Sequence, residues 1–190
     1  SFFPSKNLGC YGDGGAIFTN EDDLAHVIRG IVNHGMYVRY HHDVVGVNSR
    51  LDSIQAAVLD AKLPLLDGYN LARKSAAKQY NELLSVNENI VVPSFDFNGD
   101  DHVFHQYTLR ITNGKRDQLL EHLQNKGIPC AIYYPIPLHS QKAYVDVRYK
   151  EEDFPVTNQL VKEVISLPMH TELDNEQIEF IANSVLEFFN

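Results

Sequence analysis

The stretch Ser1-Phe2-Phe3-Pro4-Ser5-Lys6-Asn7-Leu8-Gly9-Cys10-Tyr11-Gly12-Asp13-Gly14-Gly15-Ala16 holds one lysine, Lys6, with four glycines behind it. Glycines admit positive φ and let the backbone come close to a ligand. Ser1 stands five residues before Lys6. A hydroxyl and exposed amide N–H groups can together hold a phosphate. A lysine fixed beside a phosphate can form a Schiff base with an aldehyde cofactor. Pyridoxal phosphate carries both groups. Lys6 is therefore the candidate to hold pyridoxal phosphate. As a bare pattern, a lysine in a glycine-rich turn is usually a solvated surface residue.

Downstream, the apolar run Ala16 to Thr19 predicts a short buried strand. Asn20 is the expected N-cap of a helix that opens with Glu21, Asp22 and Asp23. Leu24, Val27, Ile28, Ile31 and Val32 give that helix one apolar face, ending near Gly35. Residues 36–48 are rich in Tyr, His and Arg without a helical period, and predict a long surface loop. Asp52 or Ser53 caps a helical stretch over about 53–84, bent or broken at Pro64. The composition shift at 86–101 predicts a loop.

A smaller unit follows. It reads as strand Gln106–Ile111, helix Arg116–Lys126 with Gly127 as its C-cap glycine, and strand Ala131–Tyr134. Pro135 and Pro137 hold an extended loop as far as His139. A helix over about 156–164, a short strand Ile165–Leu167 and a last helix capped by Asp174 or Asn175 complete the chain. The whole reads as α/β. No repeat or low-complexity segment interrupts it.

Composition sets limits. The chain has 190 residues, is 44% apolar and 22% charged, and carries a formal net charge of −9. That is the make-up of a globular domain. The charge argues against a phosphate-backbone binder, so no nucleic-acid partner is expected. No apolar run approaches the ~20 residues that cross a bilayer, so no membrane partner is expected. Cys10 and Cys130 lack metal-ligand spacing and read as reduced thiols, with Cys10 in a packing role, in a cytoplasmic protein. His34, His41, His42 and Asp43, or His102 and His105, can be drawn as metal sites. Loop packing is the better reading, and no metal is expected.

The run from Ser1 to Ala57 resembles the DegT/DnrJ aminotransferases, pyridoxal-phosphate enzymes that aminate nucleotide-linked keto-sugars. The resemblance rests on Ser1 and Lys6 before the glycines. It rests also on Gly46-Val47-Asn48-Ser49-Arg50 followed by Gln55-Ala56-Ala57. Read from residues alone, Asn48 makes a turn and Arg50 pairs with Asp52, although a helix N-terminus beside Asn and Arg is also a ready anion site. The resemblance implies that Ser1 contacts the cofactor phosphate and that Lys6 forms the Schiff base. It implies that Asn48 reaches across a dimer interface to the neighbour's cofactor phosphate and that Arg50 lies near the nucleotide-sugar. Dehydratase relatives carry histidine at the position of Lys6, so the lysine favours transamination.

Tyr133, Tyr134 and His139 form a further candidate cluster, since aromatic rings can stack on a base and histidine can donate to a phosphate. Half-buried core tyrosines are the bland alternative. In the family this loop touches the partner subunit's substrate, and Tyr133 stands where relatives often carry histidine.

The implied architecture is the C-terminal half of a fold-type I aminotransferase. Residues 1–50 would end the large domain, 51–85 form the connecting helix, and 86–190 form the small α/β domain. The carboxylate at the pyridine nitrogen would lie upstream of Ser1, so the chain by itself is expected to be inactive. Lys6 would act as the base that moves the amino donor's Cα proton. The implied substrate is a UDP-linked 2-acetamido-2-deoxy-3-keto-hexuronate, aminated at C3 with L-glutamate as donor, in bacterial surface-polysaccharide (O-antigen, lipopolysaccharide) synthesis. The implied assembly is a homodimer with shared active sites. The alternatives are a C4-specific aminotransferase, a non-catalytic binding or sensor relative, and an α/β interaction fragment without cofactor.

Overall fold

The computed structural model describes residues 1–96, 99 and 102–190; part of the loop expected at 86–101 therefore lies outside the described residues. The chain divides into two compact units, Ser1–Asp67 and Gly68–Asn190.

In the first unit, helix α1 spans Asp22–Val32. Its N-cap is Glu21 rather than the expected Asn20, and Thr19 Oγ1 accepts the Glu21 N–H at 3.1 Å. Asp22 and Asp23 place negative charge in the first turn, where the helix dipole favours it. Gly35, at φ +75°, turns the chain out of the helix and returns its N–H to the Gly30 carbonyl at 2.8 Å.

The segment expected as a long irregular loop is instead a small hairpin. Strand β1, Met36–Val38, pairs antiparallel with β2, His41–His42. Tyr40 makes the reversal at φ +68°. Such short strands leave too few residues for an alternating pattern to show. The expected strand at Ala16–Thr19 does not form. Ile17 and Phe18 are exposed there, and a strand exists only with a neighbour to pair with.

Helix α2, Ser53–Lys62, runs through a single 3₁₀ turn at Leu63–Leu65 into α3, Leu66–Leu84. Pro64 lies within that turn, so the break falls where proline removes a helical donor.

The second unit packs helices on one antiparallel sheet. Strands β3 (Ile90–Val91), β4 (Tyr107–Ile111) and β5 (Val164–Leu167) lie in the order β3-β4-β5. In β4 alternate residues Tyr107, Leu109 and Ile111 are buried, the period of two that a half-buried strand requires. Helix α4, Arg116–Asn125, ends in a Schellman motif. The Ile128 N–H reaches the Leu123 carbonyl at 3.0 Å, the Gly127 N–H reaches Gln124 at 2.9 Å, and Gly127 takes φ +74°. Helix α5, Pro155–Glu163, feeds directly into β5. Helix α6, Asn175–Glu187, starts with a reciprocal capping box between Asp174 and Gln177. The expected strand at Ala131–Tyr134 is reduced to one bridge, Ala131 with Ser166.

The core of this unit is continuous from Ala76 and Tyr80 through β4, α4 and β5 to Val185. Tyr80 and Tyr107 stack at 4.8 Å, and burial pushes both phenols above their ordinary range. Each hydroxyl has an acceptor: Tyr80 donates to the Pro168 carbonyl and Tyr107 to Asn81 Oδ1. The buried Arg73 guanidinium donates to the carbonyls of Phe104, His105 and Met169, which offsets the cost of burying its charge. Arg116, also buried, donates to the Val161 and Val164 carbonyls at the end of α5, where unpaired carbonyls are otherwise left.

Candidate active site

The Lys6 stretch closes on itself through backbone bonds. The Phe2 N–H donates to Gly14 at 2.8 Å, and the Cys10 N–H donates to Phe2 at 2.9 Å. Cys10, wholly buried, also directs its thiol at the carbonyls of Phe2 and Gly12, 3.0 Å from each. The cysteine thus packs and ties the loop, as its sequence context suggests. Inside this frame the Lys6 N–H donates to the Phe3 carbonyl at 2.9 Å, which sets Lys6 on a tight turn.

Gly9, Gly12 and Gly14 act by close approach and not by positive φ. Among the described residues the positive-φ glycines are Gly35, Gly114 and Gly127, all outside this stretch. A Cβ on Gly9 would sit 2.5 Å from the Pro4 carbonyl oxygen and 2.9 Å from that of Phe3. A Cβ on Gly14 would meet Leu51 Cδ1 at 3.0 Å and Cys10 Sγ at 3.1 Å. Beside Gly15 there is room, with Ser1 Cα as the nearest atom at 4.0 Å.

Ser1 is exposed and its Oγ accepts the Phe3 N–H at 3.3 Å. Asn48 is exposed and bridges antiparallel to Asn33 at the end of α1. The flanking amides of Val47 and Ser49 donate to Ile31 and Val32. Arg50 turns to Asn33 Oδ1 at 3.0 Å, not to Asp52 as its spacing suggests. Ser1, Lys6, Asn48 and Arg50 therefore all belong to the first unit.

The remaining candidates belong to the second. Tyr133 and Tyr134 are exposed on irregular backbone, with rings edge-to-face at 5.6 Å. His139 stacks on Phe154 at 4.2 Å and 18°, and its Nε2 is buried without a hydrogen-bond partner. It borders an open cleft of about 610 Å³ with Tyr144, Asp146, Arg148 and Tyr149. Hydrogen bonds from Arg148 hold the Asp146 carboxyl below the usual carboxylate range.

Sequence reading missed two groups that touch the lysine stretch. Gln55 Oε1 accepts the Tyr11 N–H at 2.7 Å, and Lys62 Nζ donates to the Gly9 carbonyl at 2.7 Å. Gln55 figures in the sequence only as part of the family pattern, without a role, and Lys62 shares its helix face seven residues on. The histidine-rich hairpin satisfies itself locally, with His42 Nδ1 2.9 Å from the His34 carbonyl. Among the described residues no three His, Cys, Asp or Glu side chains converge as a metal site would require. No described helix is long and apolar enough to cross a membrane.

A primary amine on a pinned turn, in a stretch that also offers a hydroxyl and glycine backbone, suits an aldehyde that also carries a phosphate. The comparison with known proteins agrees in kind. Residues 1–186 match the model of the DegT/DnrJ/EryC1/StrS aminotransferase family. The chain belongs to this family.

The aminotransferases of the family depend on pyridoxal phosphate. The chain is 47% identical over 183 residues to a UDP-2-acetamido-2-deoxy-3-oxo-D-glucuronate aminotransferase of Pseudomonas aeruginosa, covering 96% of this chain and 49% of that one. It is 45% identical to a UDP-N-acetyl-3-dehydro-alpha-D-glucosamine 3-aminotransferase of Acidithiobacillus ferrooxidans, covering 97% and 48%. It is 46% identical to a pleiotropic regulatory protein of Geobacillus stearothermophilus, covering 100% and 50%. Among solved structures, a family aminotransferase from Brucella abortus superposes at a TM-score of 0.89 with 40% identity, over 98% of this chain and 49% of that one. DesV of S. venezuelae, in complex with a ketimine intermediate, gives 0.90 and 37%, over 98% and 50%. The chain thus spans about half the length of the curated relatives it matches.

Proposed function

We propose that the protein is a pyridoxal-phosphate-dependent nucleotide-sugar aminotransferase in which Lys6 carries the cofactor. The observation behind this is the Lys6 turn pinned on the Phe3 carbonyl, with the Ser1 hydroxyl on the Phe3 N–H, within a chain matched to the family almost end to end. When bound, pyridoxal phosphate supplies an aldehyde that carries the amino group and a ring that accepts electron density.

The chain's own groups would divide the remaining work. Ser1 Oγ would hold the phosphate. Lys6 Nζ, once released by the amino donor, would take the proton from the donor's Cα and later return one to the sugar carbon. Asn48 of the partner subunit would add a second phosphate contact in a homodimer, each subunit giving and receiving one. Arg50 would meet a diphosphate or carboxylate. Tyr133 and Tyr134 would stack on the base, and His139 would donate to a phosphate or sugar hydroxyl.

The proposed substrate is a UDP-linked 2-acetamido-2-deoxy-3-keto-hexuronate with L-glutamate as amino donor, in surface-polysaccharide synthesis in the cytoplasm. The 47% identity to the glucuronate aminotransferase supports it. A regulator without catalysis is the second reading, favoured by the 46% identity to a pleiotropic regulatory protein. The retained Lys6 favours the enzyme.

Full-length protein with glutamate should aminate the 3-keto-hexuronate at C3, and Lys6→Ala should abolish turnover. Amination of a neutral 6-deoxy sugar at C4 alone would overturn the substrate. Absence of transamination with any nucleotide-linked keto-sugar, alongside an intact fold, would favour the regulator.

A further inference from the structure

We propose that Gln55 and Lys62 of α2 are positioning residues for Lys6, a role that rests on the assignment of Lys6 above. They lie seven residues apart, two turns along one face, about 10 Å apart on the helix axis. Both point into the lysine stretch, at hydrogen-bond distances of 2.7 Å. Gln55 grips Tyr11 N–H, and a Cβ on Gly12 would stand only 3.0 Å from its Nε2. Lys62 grips the Gly9 carbonyl, and its ammonium also stands 5.1 Å from the centre of the Tyr11 ring. Leu59, between them on the same face, is buried.

The route from this clamp to Lys6 is short. Gly9 is pressed on the carbonyls of Phe3 and Pro4, so closely that a Cβ does not fit. The Phe3 carbonyl in turn accepts the Lys6 N–H. If Gly9 lifts, the turn that aims Lys6 loses its floor. The bond from Lys62 is charge-assisted and therefore the stronger of the two. Cys10, between the two gripped residues, anchors the stretch by its thiol at the carbonyls of Phe2 and Gly12. An amine that attacks an aldehyde and moves a proton is sensitive to displacements of about 1 Å. A group that only sets its aim should change rates and leave nucleotide-sugar binding alone.

The test uses full-length protein and four variants: Lys62→Met, Lys62→Arg, Gln55→Leu and Gln55→Glu. Two quantities are read besides turnover: the rate at which added pyridoxal phosphate forms a borohydride-reducible bond to Lys6, and the thermal midpoint. Lys62→Met and Gln55→Leu should slow bond formation and kcat by about tenfold or more. KM for the nucleotide-sugar should stay within about twofold. Lys62→Arg and Gln55→Glu keep the donor and the acceptor and should restore most of the rate. If Lys62→Met does not fold, Gln55→Leu and its Glu partner decide the matter. Wild-type bond formation in both apolar variants would overturn the proposal. So would equal loss in the conservative and apolar variants. A wild-type protein that forms no bond at Lys6 would overturn the functional reading as well, and is recognised before any variant is made.

Discussion

The two units bury their apolar residues very differently. In Gly68–Asn190 a continuous set of side chains from α3, all three sheet strands, α4 and α6 is almost fully enclosed. In Ser1–Asp67 Cys10 and Leu59 are the buried apolar side chains, while Ile17, Phe18, Leu24, Val27, Ile31, Ile54 and Leu65 are exposed. Helix α1 has an apolar stripe of which Leu24, Val27 and Ile31 stay exposed while Ile28 and Val32 are half-buried. The cofactor-holding candidates Ser1, Lys6 and Asn48 lie in the poorly enclosed unit. Its order comes instead from backbone bonds and close glycine contacts around Lys6. The comparison teaches that a hydrophobic core and a chemically pinned loop are separate devices, and that one can be present where the other is sparse.

The largest expected consequence is in hydrogen exchange of the chain. Amides of β4 and α6 should be protected more than those of Ala16–Thr19 by a factor on the order of 1,000 or more. Similar protection in both places would erase the contrast. Next comes Arg73→Leu. It strands the carbonyls of Phe104, His105 and Met169 and should cost about 3 kcal/mol by denaturant unfolding. A cost near zero would mean that the second unit's enclosure does not depend on paying these carbonyls with donors. Tyr107→Phe removes one donor from Asn81 and should cost about 1 kcal/mol.

The smallest effect concerns Glu163. Hydrogen bonds from Gln159, and then Arg110, hold its carboxyl below the usual range. The unfolded chain therefore binds this proton at a higher pH than the folded one. That contribution to stability is present above the ordinary carboxylate value, about 4.3, and is lost as pH falls through the lower folded value. Glu163→Gln should flatten the acid limb of the stability curve in that window and leave its slope at neutral pH unchanged. An unaltered acid limb would contradict the assignment.

How much of this was legible beforehand follows the range of the interactions. The break at Pro64, the Gly127 cap and the Asp174 start depend on residues within one turn, and a sequence displays those directly. Ala16–Thr19 looked like a strand because its composition is apolar, yet a strand needs a partner that composition does not reveal. The hairpin at Met36–His42 was hidden because its strands are two and three residues long. Lys6, Ser1, Asn48 and Arg50 stood out through their spacing and family resemblance. Gln55 and Lys62 did not stand out as supports for Lys6, because their contacts bridge 44 and 53 residues of chain. The buried Arg73 was silent for the same reason: its acceptors lie 31 to 96 residues away.

The claim on which the functional account turns is that Lys6 carries the cofactor. Full-length protein incubated with pyridoxal phosphate, reduced with borohydride and digested should yield one peptide bearing the pyridoxyl group, attached at Lys6. Attachment at Lys62, at Lys74 or at no lysine of this chain would contradict the account.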